Sequence, residues 1–247
     1  CTVTKSPKLI LSCVHAANYI PPAYRKLLAP NRVLRGPWGR RNVNDLLNDH
    51  WGWDPGALDL ARHLARRCSA PLFVFPVSRL LIEPDGHIRT SFFSPLTGGL
   101  SREKKDEIIE RYWRPYVNSV ERAITKETNK GKRVVHVVVH SFTPVWKAAV
   151  RKCDIGILFD PRRAQEKEIA MKLQREVKKR LPKYLIRRNY PHRGRSEGHT
   201  TYMRMRFPGN QYAGIEIEVN QKHISRRTAR GARITRALAE ALQEILL

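Results

Sequence analysis

Two histidines follow strongly apolar runs in this chain: His15 after Leu9-Ile10-Leu11-Ser12-Cys13-Val14, and His140 after Val134-Val135-His136-Val137-Val138-Val139, with Ser141 next. Reacting groups of α/β sheets gather at the carboxyl ends of strands. Two histidines so placed suggest two metal ligands arriving from separate strands. Imidazole suits zinc, and a catalytic zinc keeps three protein ligands and a water. The structural alternative is a satisfied histidine at each strand end. A third apolar run carries Glu216-Ile217-Glu218. Spacing by two puts both carboxylates on one sheet face, where burial is costly unless they are paired or functional. An edge strand with a solvated polar face is the alternative, disfavoured because Ile215, Ile217 and Val219 line the other face. A glutamate beside a metal and its water can act as general base, and position favours Glu218, at the strand end, over Glu216. Arg79 follows another apolar run and is placed to polarise a carbonyl or bind a carboxylate, or else to pair with Glu83. His50 and Asp54 frame Trp51-Gly52-Trp53. Asp54 reads either as a helix N-cap or as a metal ligand or its orienting group; both readings stay open.

The elements that must position these groups alternate between strand and helix. Strands are expected over residues 8–14, 71–77, 134–139, 154–159, 184–186 and 212–219. Helices are expected from Asp54-Pro55, from Ser101 with a stripe running from Ile108 to Ala123, over about 162–181 until Pro182, and over about 226–246. Residues 19–44, 84–100 and 189–210 read as loops. This order predicts an α/β fold in a single domain over 1–247, with a mixed, mostly parallel sheet flanked by helices.

Composition narrows the function classes. No apolar stretch reaches the ~20 residues of a membrane helix. There is no GxSxG elbow, P-loop or GxGxxG, so serine hydrolases, NTPases and dinucleotide binders lack support. Cys1, Cys13, Cys68 and Cys153 show no CxxC spacing, which argues for reduced thiols and a cytoplasmic location. The chain starts at Cys1 rather than Met and reads as a fragment or processed product without a signal peptide. The net charge of +25 attracts anions of any kind. A small acidic substrate and nucleic acid both fit it. The scarcity of aromatic residues interleaved with basic ones disfavours single-strand binding.

Eight segments in order resemble the N-formylglutamate amidohydrolase family. They are residues 12–21 around His15, residues 50–57, Ser78-Arg79-Leu80-Leu81-Ile82-Glu83, Tyr112-Trp113-Arg114-Pro115-Tyr116, Val139-His140-Ser141, residues 154–161, Asn189-Tyr190-Pro191, and residues 214–221 around Glu216 and Glu218. The resemblance implies a zinc-carboxypeptidase or aspartoacylase-like fold and zinc-assisted hydrolysis of an amide on an acidic amino acid, such as N-formylglutamate in histidine breakdown. It makes His15 and His140 zinc ligands, Glu218 the catalytic glutamate and Arg79 the carbonyl-polarising arginine. Two departures stand out. Carboxypeptidase-like enzymes carry His-x-x-Glu, but the third residue after His15 is Asn18, so Asp54 becomes the candidate third ligand. Where the family often shows Asp-x-Asn-Arg, this chain has Glu83-Pro84-Asp85-Gly86, and Arg193, Arg195 and Arg204 are the candidates to replace the lost arginine as substrate contacts. Glu216 and His50 are then expected to orient ligands rather than to bind metal.

Overall fold

Runs of valine, isoleucine and leucine form strands because branched side chains pack well on a pleated, buried surface. The computed structural model describes residues 6–28, 41–86, 92–196, 198–224 and 228–247. Its strands are β1 Lys8–Cys13, β2 Leu72–Val74, β3 Val134–Phe142, β4 Val145–Trp146, β5 Ala149–Val150, β6 Ile155–Leu158, β7 Ile186–Arg188 and β8 Tyr212–Asn220. The helices are α1 Pro22–Arg25, α2 Val43–Leu47, α3 Ala57–Arg67, α4 Arg102–Ile108, α5 Arg114–Thr128, α6 Ala164–Arg180, α7 His199–Arg206, α8 Gln221–Ile224 and α9 Ala229–Ile245.

Six strands make one sheet in the order β2-β1-β3-β8-β6-β7. All neighbours are parallel except β8 and β6, which run antiparallel. The sheet is therefore mixed and mostly parallel, as expected. Side chains of successive residues alternate between its faces. Val135, Val137 and Val139 pack with Leu60, Leu64, Leu173 and Leu238 from α3, α6 and α9. Val134 and Val138 pack on the other face with Tyr116, Val120 and Ile124 of α5. Helices thus cover both faces; on the α5 side, β3 and β8 also carry His136, His140, Glu216 and Glu218. Among the described residues no helix is long and apolar enough to cross a membrane.

Four differences from the expected elements stand out. The helix expected from Asp54 begins at Ala57, with Gly56 as its cap at φ 84°; a left-handed backbone there favours glycine. Asp54 is thereby released from capping. The helix from Ser101 is capped by that residue, as expected, but is interrupted by a π-helical turn over Ile109–Trp113. Pro115 lacks an N–H and cannot continue a regular ladder. The short strand expected at 184–186 is displaced to Ile186–Arg188. The loop expected over 189–210 contains α7, whose first residue, His199, donates its backbone N–H to Asp85 Oδ1 at 2.8 Å. That anchor comes from far along the chain, so no local cap announces the helix. In the expected loop over 19–44, residues 29–40 lie outside the described set, as do Cys1 and the Arg226-Arg227 start expected for the last helix. Cys13, Cys68 and Cys153 are free thiols.

Candidate metal centre and active-site cavity

His15 sits just past the end of β1, and its backbone carbonyl accepts the Asp54 N–H at 2.9 Å. That bond draws the start of the Asp54–Gly56 turn under β1. His140 lies near the end of β3, directly opposite Glu218 on β8. His15, Asp54, His140 and Glu218 are each only 4–5% exposed.

The Asp54 carboxylate stands between the two imidazoles. Its Oδ2 lies 3.4 Å from His15 Nδ1 and 3.0 Å from His140 Nδ1. The Ser141 N–H also donates to it, at 3.3 Å. The ligand atoms of His15, Asp54 and His140 all fall within 4.8 Å of one another, which is compact enough to hold one metal ion. Two further carboxylates hold the opposite edges of the rings. Glu83 Oε1 is 2.6 Å from His15 Nε2, and Asp85 Oδ2 is 3.4 Å from His140 Nε2. The hydrogen-bonded Glu83–His15 contact is the kind by which a carboxylate orients a metal-binding histidine. The donor set itself, two imidazoles and one carboxylate, suits zinc. His140 Nε2 and Glu218 Oε2 are buried without a hydrogen bond. Such buried polar atoms call for a ligand or a function.

Burial works against charge on His15 and His140, but the carboxylates outweigh it. His15 is pushed up to about 9 by Glu83 and Asp54, against burial and Arg79. His140 is pushed up to about 10 by Asp54 and Asp85, against burial. Asp54, although buried, is held well below the usual carboxylate range by the two histidines. Glu83, also buried, is pulled down to about 2 by Arg79 and His15. The rings therefore hold protons in a field built for cations, and metal binding displaces such protons. Glu218 behaves oppositely: burial raises it to about 7, with His140 opposing.

These groups open into a cavity of about 740 Å³ whose wall includes Arg79, Glu216, Arg151, His192 and Trp146. Arg79 donates to Glu83 Oε2 from Nε at 2.7 Å and from Nη2 at 2.5 Å, and its Nη1 is 3.8 Å from Asp54 Oδ1. Arg79 is thus salt-bridged to Glu83 and also lines the cavity. Glu216 accepts a hydrogen bond from Thr200 at 2.6 Å, and burial raises its carboxyl above the ordinary range. Glycine is required at Gly156, opposite Glu218 on β6: a Cβ there would lie 2.0 Å from the Tyr190 carbonyl oxygen and 3.2 Å from Glu218 Cβ.

His50 lines the cavity, yet it pairs with Asp49 at 2.7 Å and packs on Trp51 and Trp146 rather than on the histidine pair. Among the described residues no hydrogen bond or ion pair joins it to His15, Asp54 or His140. Of the three arginines expected at the substrate, Arg193 alone lines the cavity. Arg204 is instead buried in the protein frame, donating to Glu166 at 2.9 Å and to the carbonyls of Gly194 and Gly214. Arg195 lies with it on a separate hollow beside Asp160. The helical course of α7 carries Arg204 away from the site. Asn18 is exposed.

Sequence reasoning missed Glu83 and Asp85 as site residues, since Glu83 was legible only as a partner of Arg79. It also missed His192, whose Nε2 is 3.9 Å from Glu218 Oε1. The signal for His192 was its place just after Asn189-Tyr190-Pro191. Asn189, at φ 49°, accepts the N–H groups of Phe159 and Gly194 and so fixes that loop against β6.

The family model described as N-formylglutamate amidohydrolase matches residues 7–225. No curated protein sequence matches the chain. Among solved structures, the gene product Atu2144 from Agrobacterium tumefaciens aligns with a TM-score of 0.76 at 24% identity, covering 98% of this chain and 92% of that one. An N-formylglutamate amidohydrolase from Ralstonia eutropha JMP134 aligns with a TM-score of 0.65 at 16% identity, over 98% and 94%.

Proposed function

Because the chain belongs to the N-formylglutamate amidohydrolase family, we propose that it hydrolyses the amide of an N-acyl acidic amino acid, with N-formylglutamate the first candidate. In this reading His15, His140 and Asp54 hold one zinc ion. The ion would supply Lewis acidity toward the amide carbonyl and make a water acidic enough to lose its proton near neutral pH. Glu218 is the general base. Its Oε2, buried at the cavity wall without a partner, takes the proton from the attacking water and returns it to the leaving amine nitrogen. The water oxygen bonds to the carbonyl carbon, the carbon–nitrogen bond breaks, and the products are a carboxylic acid and a free amino acid. Arg79, fixed by Glu83, sets its positive charge beside the carbonyl oxygen as negative charge develops there. Glu83 and Asp85 keep the two imidazoles oriented.

One observation carries the reading: Asp54 Oδ2 stands between two Nδ1 atoms at 3.4 and 3.0 Å, beside a cavity that also holds Glu218. The test is metal analysis of freshly purified protein together with turnover of N-formyl-, N-acetyl- and longer N-acyl-amino acids. One zinc per chain and metal-dependent release of an amino acid are expected. Protein that takes up no divalent metal, or that takes it up and cleaves none of these amides, defeats the proposal.

A further inference from the structure

A substrate that is an N-acyl amino acid brings at least one carboxylate into the cavity, and the arginines on its wall are the candidates to receive it. Among the described residues three arginines line the wall: Arg79, Arg151 and Arg193. Arg79 is already engaged by Glu83 at 2.5–2.7 Å. Arg193 is an exposed side chain on the cavity rim. Arg151 differs from both. Its Nη1 donates to Thr143 Oγ1 at 3.1 Å and to the Thr143 carbonyl at 3.4 Å. Its guanidinium lies 5.2 Å from the ring centre of Trp146 and 5.7 Å from that of Phe142. Among the described residues no carboxylate forms an ion pair with it, although Glu218 acts on it across the cavity.

The chain invests structure in holding this group. Arg151 follows a small hairpin in which β4 and β5 pair Val145 with Val150 and Trp146 with Ala149. Lys147 and Ala148 form its turn at φ 48° and 64°, a left-handed pair of the kind that matches strand twist but disfavours side chains. The Arg151 N–H closes the loop on the Pro144 carbonyl at 2.8 Å. A guanidinium fixed by stacking loses little freedom on binding, and its planar fork matches a carboxylate in two hydrogen bonds.

We infer that Arg151, held against the rings of Trp146 and Phe142 on the cavity wall, receives a carboxylate of the leaving amino acid and thereby selects acidic N-acyl substrates. The inference rests on the hydrolase reading above. The α-carboxylate and the side-chain carboxylate share this chemistry, and amide analogues separate them.

The experiment compares N-formylglutamate with its α-amide and its γ-amide on zinc-loaded wild type, Arg151→Met and Arg151→Lys. Wild type should prefer the acid at one position. Arg151→Met should erase that preference through KM, roughly 10- to 100-fold for the loss of hydrogen bonds to a charged group, with kcat little changed. Arg151→Lys should restore part of it, and serves alone if the methionine variant does not fold. The position whose amide costs wild type most, and costs the variant nothing, identifies the carboxylate. An unchanged acid-to-amide ratio in the variants, or no preference in wild type, overturns the assignment. Should wild type cleave none of the three, calorimetric binding judges Arg151 by itself, apart from the hydrolase reading. Tighter binding of N-acetylglutamate than of its diamide, lost in Arg151→Met, upholds the carboxylate role; equal binding overturns it.

Discussion

His136 and His140 share β3 and share a face of it, about 13 Å apart by strand rise, and both are buried. Hydroxyls surround the first. His136 Nε2 is 2.7 Å from Ser12 Oγ, and its Nδ1 is 2.9 Å from the Tyr212 hydroxyl. Burial then drives the ring toward its neutral form, well below the ordinary histidine range. Carboxylates surround the second, and they hold it cationic despite equal burial. The difference is not in the residue, the strand or the depth. It lies in what the neighbouring strands and loops present: β1 and β8 offer Ser12 and Tyr212 to His136, whereas the loops holding Asp54 and Asp85 reach His140. The glutamates of β8 repeat the contrast. Glu216 is bonded to Thr200, while Glu218 keeps one oxygen without a partner.

Deleting each ring should separate the two environments most strongly. His140→Ala should abolish zinc binding and turnover, a loss beyond the ~10²–10⁴ expected for removing a general base. His136→Ala should keep zinc stoichiometry but lose about 2–5 kcal/mol of stability, as large-to-small core changes do. Stabilities are read on metal-stripped protein, so that bound zinc does not mask them. Zinc retained by His140→Ala, or lost by a folded His136→Ala, would merge the two classes.

The glutamates come next. Glu218→Gln should retain zinc and lose ~10²–10⁴ in kcat, whereas Glu216→Gln should lose much less, or lose metal affinity instead. Turnover and metal content of both variants decide the matter. Near-normal turnover by Glu218→Gln would remove it from the mechanism.

The smallest effect is on acid stability. His136 stays neutral when folded but titrates near 6.5 when unfolded. Below that pH the unfolded chain binds a proton that the folded chain refuses, so stability falls as pH falls. His199, buried on the same side and lowered to about 4, adds the same sign over the window from about 6.5 down to about 4. Each contributes up to about 1.4 kcal/mol per pH unit. Urea midpoints of wild type and His136→Gln between pH 7.5 and 4.5 should converge as pH drops, because the glutamine lacks this titration. Parallel curves would mean that His136 is not held neutral.

Much of the architecture was legible because its signal is local. The valine run of β3 and the Ile215-Ile217-Val219 pattern of β8 place His140 and Glu218 near strand ends without any tertiary information. Where the cause was distant, reading failed. α7 is anchored by Asp85, more than a hundred residues earlier, and so looked like loop. Arg204 looked like a substrate contact in that loop and is instead bonded to Glu166.

The candidate site divides along the same line. The order of apolar runs and their polar followers determined the sheet, the two histidines and the glutamate, since side-chain direction in a strand follows from a period of two. Asp54 was undecidable between helix cap and ligand until the chain placed Gly56 at the cap and turned the carboxylate toward both rings. Glu83, Asp85 and Arg151 sit on connecting segments, whose course depends on the strands and helices packed around them. Electrostatic partnership depends on distance through space, and separations of 39 residues between His15 and Asp54 or 86 between Asp54 and His140 carry no such distance. Only the folded sheet brings those atoms together, and with them the difference between a histidine that is core and one fit to hold a metal.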